Sequence, residues 1–288
     1  MKLALGTVQF GLDYGISNEA GKTSQVEVKR ILDLAKTSDL DTLDTAAAYG
    51  DSEEVLGRIG VAGWEVVSKV PFLPRDGVIG KQWVLDHVRQ SLERLKIDRL
   101  EGLLLHCATD LLRAEGRDIA AGLQEAKAQG LVNKVGYSIY APQSLTALLE
   151  VLPPDLVQAP FNVFDQRLTR SGWLDRLVET GSEVHVRSVF MQGLLLMSPE
   201  KRPPAFDKWN EYWQRWDAAV GGRSEQALAL CLGFAKAHQG ISRIVVGVES
   251  HAHLEHLLEI WERAAPFDAA GLACDDPQLV DPSNWKLK

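Results

Sequence analysis

The chain has 288 residues, 45% of them hydrophobic and 24% charged, an ordinary globular balance that supports a sizeable core and argues against disorder. Its 31 Lys and Arg against 39 Asp and Glu give a net charge of −8 with no dense basic cluster, which excludes a nucleic-acid partner and leaves a small molecule as the expected one. Cys107, Cys231 and Cys274 lack disulfide or zinc spacing, the opening MKLALGTVQFG is too weakly apolar for a signal peptide, and no stretch is long enough to span a bilayer; the reading is a cytoplasmic protein without a membrane or metal partner.

Eight short runs rich in Leu, Val and Ile recur along the chain: LALGT (3–7), DTLDT (41–45), EVVSK (65–69), GLLLH (102–106), NKVGYS (133–138), LVQAP (156–160), EVHVRS (183–188) and SRIVVG (242–247). Between them lie segments of helical periodicity, among them 24–38, 80–97, 111–130, 171–181, 224–240 and 250–264. Ser24, Asp51 or Ser52, and Ser250 stand where N-caps belong, and Gly130, Gly181 and Gly240 where helices end. Strands alternating with helices pair in parallel, and eight such repeats predict a closed (β/α)8 TIM barrel, one domain over residues 1–288.

Residues 199–222 form an insertion between the seventh strand and its helix. Trp209, Tyr212, Trp213 and Trp216 recur there at i, i+3, i+4 and i+7, so an extra helix with one aromatic face is expected, more readily packed on the barrel than walling a substrate. After Phe267 the chain reads as an irregular C-terminal strap.

Asp44, Lys69 and His106 end the second, third and fourth runs, and Tyr49 follows Asp44 by five residues. In a barrel the carboxyl ends of the strands share one face, where active sites lie. A lone Lys there is usually solvated, a lone Asp usually a cap and a lone His usually a satisfied core residue. Three on adjacent strands with a tyrosine in the first intervening loop point instead to a site. An ammonium beside a phenol favours the phenolate, so the set makes a proton donor able to work near neutral pH.

LDTAAAYGDSEEVLG, VVSKVP and LLLH resemble the tetrad motifs of the aldo-keto reductases in order and spacing. GTVQFG, KVGYS, VQAPFNVFDQRL, RSVFMQGLLL and VVGVESHAHLEHLL extend the resemblance over nearly the whole chain, which is most similar to the bacterial group opening with GT-x-QFG. The resemblance implies reduction of an aldehyde or ketone, including a sugar carbonyl, without metal. Tyr49 would protonate the carbonyl oxygen, Lys69 held by Asp44 would assist it, and His106 would orient the carbonyl. NADP(H) is the implied cofactor, with NAD(H) the alternative. Ser138 and Gln158 would hold the nicotinamide carboxamide, and Ser188, Phe190, Gln192 and Gly193 would cradle the pyrophosphate. Arg187, where relatives often carry tyrosine, would stack or reach a phosphate.

After the eighth strand this chain offers Gly247, Val248, Glu249, Ser250, His251, His253, His256 and Leu257 in place of a basic adenosine-phosphate segment. Of these Gly247, Ser250 and His253 are expected cofactor contacts, Glu249 would repel a 2′-phosphate if it points inward, and the three histidines read as surface residues rather than a zinc site. Phe10, Tyr14, Phe72, Phe161 and Phe190 are candidates for an apolar substrate wall. The rival reading is a nicotinamide-binding sensor or regulatory subunit with little turnover, and the expected assembly is a monomer or weak homo-oligomer.

Overall fold

The computed structural model describes residues 1–74 and 79–285. Eight strands pair in parallel in chain order: β1 Lys2–Gly6, β2 Thr42–Asp44, β3 Glu65–Val70, β4 Leu100–Leu105, β5 Val132–Ser138, β6 Leu156–Pro160, β7 Glu183–Arg187 and β8 Arg243–Gly247. β8 pairs back onto β1, from Lys2 with Arg243 to Gly6 with Gly247, which closes the barrel. Every expected strand is present, with ends shifted by at most about two residues, because runs buried on both faces leave little choice of boundary.

Residues two apart on a strand share a face, and the inward positions stack in layers. At the bottom, Arg243 Nε donates to Thr42 Oγ1 (3.0 Å) and its Nη2 reaches Glu65 (3.2 Å). In the middle, Val67, Leu104 and Leu156 form a buried apolar plug. Gly102 makes room for it, since a Cβ there would lie 3.0 Å from Leu156 Cδ2 and 3.3 Å from Val67 Cγ2, and Gly136 lets β5 lie close to β6, where a Cβ would stand 1.7 Å from the Leu156 carbonyl oxygen. Two residues further along the same strands come Lys69, His106 and Gln158. The plug is thus a dry floor beneath the carboxyl-end residues.

Helices Gln25–Thr37, Ser52–Ile59, Lys81–Leu95, Gly116–Ala128, Leu145–Val151, Trp173–Glu179, Ser224–Lys236 and His251–Arg263 follow successive strands. Ser24 and Ser250 cap as expected, accepting from Glu27 N–H and His253 N–H. Gly130 and Gly181 hold positive φ (72° and 82°). Gly240 is a correction: it lies beyond the helix end, has no positive φ, and is needed because a Cβ there would meet Leu174 at 2.9 Å. The expected 111–130 helix starts only at Gly116, preceded by a short 3-10 turn over Ala108–Leu112.

The insertion forms helix Asn210–Val220. Trp209, Trp213 and Trp216 are buried, and their indole N–H groups donate to Asp276, the Phe206 carbonyl and the Leu195 carbonyl. Phe164 meets Tyr212 and Trp213 edge-on. The aromatic face therefore packs on the barrel. The strap carries short helical turns at Ala270–Leu272, Pro277–Val280 and Pro282–Asn284; residues 286–288 lie outside the described residues. No helix among the described residues is long and apolar enough to cross a membrane.

Candidate active site

β2, β3 and β4 deliver Asp44, Lys69 and His106 to one rim, as their positions in the sequence imply. Asp44 stands opposite Val67 in the β2–β3 register, so Lys69 projects one inward step above it. The Lys69 Nζ donates to both Asp44 oxygens (2.9 and 2.8 Å) and to the Thr45 carbonyl (3.0 Å). Only 1% of the lysine side chain and 5% of the aspartate side chain are exposed, so solvent screens the pair little. Burial pulls the Lys69 ammonium down, but the Asp44 charge and hydrogen bonds outweigh it and leave the group raised above the ordinary lysine range. Gln158 Nε2 adds a second side-chain donor to Asp44, at 2.6 Å.

Tyr49 lies over this pair, with Lys69 Nζ 5.1 Å from its ring centroid. Its loop is fixed by close backbone packing. A Cβ on Gly11 would stand 1.8 Å from the Tyr49 carbonyl oxygen, and one on Gly50, whose φ is +56°, would stand 2.3 Å from the Gly11 carbonyl oxygen. Beneath the loop, Ser52 Oγ donates to the Thr7 carbonyl (2.9 Å) and lies 3.0 and 3.2 Å from the Thr7 and Thr45 hydroxyls. Thr7 Oγ1 in turn donates to the Asp44 carbonyl. Ser52 thus belongs to a buried hydroxyl cluster and is not an N-cap.

His106 sits edge-on to Tyr49, ring centroids 5.8 Å apart, and stacks on Phe72 at 4.4 Å. Burial, then the positive charges of Lys69 and Arg187, lower its pKa to about 3, so the imidazole is neutral at physiological pH. Its Nδ1 is buried without a partner.

A cavity of about 640 Å³ opens over these four residues. Of the expected cofactor contacts, Ser138, Arg187, Ser188 and Phe190 line it, as do Gln192, Gly193, Gly247 and His253. Gln158 and Ser250 do not: the first is fully buried against Asp44, the second caps its helix. Arg187 spans the upper wall, reaching the Ile139 carbonyl (3.0 Å), Ser188 Oγ (3.2 Å) and Ser138 Oγ (3.4 Å), with its guanidinium 5.0 Å from the Tyr140 ring centroid. Past Arg187 the backbone turns through positive φ at Ser188, Met191, Gln192 and Gly193. Side chains other than glycine adopt this region at a cost, and such strain concentrates at ligand clamps.

Of the aromatic candidates, Tyr14 and Phe190 line the cavity, whereas Phe10 and Phe161 are fully buried core. Phe72 is 52% exposed and shields His106 from outside. Sequence reasoning missed Gln9, Tyr140 and the strap pair Pro282–Ser283 as lining residues. Tyr140, two residues past the end of β5, carried a readable signal; Pro282 and Ser283 come from a remote segment with none. Among the described residues no three His, Cys, Asp or Glu side chains converge as a metal site.

The aldo/keto reductase family model matches residues 2–272. Comparison with curated proteins by sequence gives no match. Among solved structures, aldo-keto reductase AKR11C1 from Bacillus halodurans in its holo form has a TM-score of 0.73 at 20% identity, covering 94% of this chain and 89% of that one. Glycerol dehydrogenase AKR11B4 from Gluconobacter oxydans has a TM-score of 0.68 at 19% identity, covering 90% and 86%. At these identities the structures establish the shared barrel, and the family model, which spans nearly all of the sequence, establishes descent: the chain belongs to the aldo/keto reductase family of oxidoreductases acting on carbonyl compounds.

Proposed function

We propose that this protein reduces an aldehyde or ketone to the alcohol with a nicotinamide dinucleotide held in the cavity, Tyr49 acting as the general acid. The observation that carries the reading is the buried Lys69–Asp44 pair beneath Tyr49, with a neutral His106 beside it. The cavity's own residues fit a dinucleotide. Arg187 and the positive-φ turn suit a pyrophosphate, Ser138 offers a hydroxyl, and Gln9 presents a buried, unpartnered Oε1 beside Gly247. A Cβ on Gly247 would approach the Gln9 amide to 2.8 Å, so glycine keeps that wall open.

A nucleotide held by these residues would supply hydride for the carbonyl carbon. The chain's residues manage the oxygen. Tyr49 passes its hydroxyl proton to it, and the Lys69 ammonium, anchored so that it cannot swing away, stabilises the negative charge left on the phenol. His106 contributes as a neutral donor: with Nδ1 buried and unpartnered, Nε2 is the nitrogen available to the substrate oxygen. Charge develops on that oxygen only as reaction proceeds, so these donors favour the transition state over the bound carbonyl. The intact acid supports turnover over the sensor reading. The resemblance implies NADP(H), with NAD(H) as the alternative, and the choice turns on the far end of the cavity.

The test is cofactor oxidation, followed by absorbance, with NADH or NADPH and a panel of aromatic and short aliphatic aldehydes. Tyr49→Phe is expected to lower kcat by roughly 10² to 10⁴ while nucleotide binding persists. Wild-type turnover no faster than that of Tyr49→Phe would refute the assignment.

A further inference from the structure

The cavity does not end at the barrel rim. From Arg187 and Gly247 it continues outward between helices Ser224–Lys236 and His251–Arg263, where Leu228 lines one side and His253, His256 and Leu257 the other. Those three residues sit at i, i+3 and i+4, one face of a helix turned along an outer arm. With the hydride chemistry confined to the tetrad end, this arm is the place for the distal adenosine. Resting on the dinucleotide reading above, we propose that the arm accepts an adenosine ribose with a free 2′-hydroxyl and rejects a 2′-phosphate, so that the protein selects NAD(H) over NADP(H).

The arm's charges oppose a dianion. Glu249 lines it, and the charged groups that act on Glu249 are His253 and a second carboxylate, Glu19. The Lys and Arg residues that line the cavity among the described residues are Lys69, paired with Asp44, and Arg187, at the inner start of the arm beside Ser138 and Ser188. A helix N-terminus would ordinarily attract a phosphate, because its first N–H groups are free. Here the chain has engaged two of them itself. His251 N–H donates to Glu27 Oε1 at 2.6 Å, and His253 N–H donates to Ser250 Oγ at 3.2 Å. The other Glu27 oxygen is taken by Arg30 at 2.9 Å, which leaves that guanidinium already paired. A 2′-phosphate in this arm would meet the Glu249 carboxylate and a helix end occupied by the Glu27 carboxylate. A 2′-hydroxyl, by contrast, has in Glu249 a hydrogen-bond acceptor, the arrangement by which a carboxylate discriminates NAD from NADP in other nucleotide sites.

Titration calorimetry of the full-length protein with NADH and with NADPH at pH 8, above the ordinary histidine range, tests this directly. NADH is expected to bind at least about tenfold tighter than NADPH. Glu249→Arg, which replaces a repelling charge with an attracting one, is expected to tighten NADPH by about tenfold or more and so close or reverse the gap. NADPH binding as tightly as NADH, or unchanged by Glu249→Arg, would overturn the assignment while leaving the dinucleotide reading standing. Binding of neither nucleotide would overturn both.

Discussion

Replacing Asp44 by Asn is the sharpest probe of the Lys69 environment. The substitution is nearly isosteric and keeps an oxygen within reach of Nζ, so packing is conserved while the counter-charge disappears. In the wild type the ammonium is held by both Asp44 oxygens at 2.8 and 2.9 Å with 1% of the lysine side chain exposed. Its pKa is raised, so the pair's contribution is complete below the unfolded lysine value and is lost only as pH rises through the folded one. Removing one partner of such a pair leaves a buried, uncompensated charge, at a cost of roughly 3–5 kcal/mol. At about 2 °C per kcal/mol for a chain of this size, the thermal midpoint should fall by about 6–10 °C at pH 7. The double variant Asp44→Asn, Lys69→Met carries neither charge and is expected to regain most of that loss. Neither variant should reduce carbonyls. Scanning calorimetry and cofactor oxidation on the same preparations separate the two effects. An Asp44→Asn protein within about 1 kcal/mol of wild type would refute the claim that Lys69 depends on Asp44.

His106 yields a pH prediction. Its folded pKa of about 3 lies below the ordinary 6.5, so protonation favours the unfolded chain, and stability is lost as pH falls from about 6.5 towards 3. Between pH 8 and pH 5 this group alone should remove about 2 kcal/mol, a slope that His106→Asn should lack when the two proteins are unfolded in urea across that range. Gly11→Ala drives a methyl into the Tyr49 carbonyl, 1.8 Å from the ideal Cβ, and must shift the acid's loop. A displacement near 1 Å at the reacting group should lower kcat by about 100-fold. A Gly11→Ala enzyme with wild-type kcat would show that this contact does not position Tyr49.

The barrel was legible because short runs rich in Leu, Val and Ile alternate eight times with helical patterns. The strand-ending positions of Asp44, Lys69 and His106 carried over directly, since parallel register brings successive carboxyl ends to one rim. Tyr49 was readable from the motif but its fastening was not: the Gly11–Gly50 contact joins loops that no periodicity relates. The resemblance makes Gln158 a carboxamide contact; that its Nε2 donates to the buried Asp44 carboxylate is visible only in three dimensions. Gly240 illustrates the same limit, since a glycine after a helix signals a turn in sequence while here it answers a packing clash. The Pro282–Ser283 contribution to the cavity depends on where an irregular tail happens to lie.

Tyr49 and the cavity wall rest on separate supports. Tyr49 is tied to β1 and β2 through Gly11, Gly50 and the hydroxyls of Thr7, Thr45 and Ser52, whereas the wall draws Phe190 from one loop, Tyr140 from another and Pro282 from the tail. Drift in the wall can therefore alter which carbonyl compounds enter while Tyr49 keeps its geometry. Substitutions in the wall can thus act on which compounds fit, while the placement of Tyr49 depends on two glycines packed backbone to backbone and on the hydroxyl cluster of Thr7, Thr45 and Ser52.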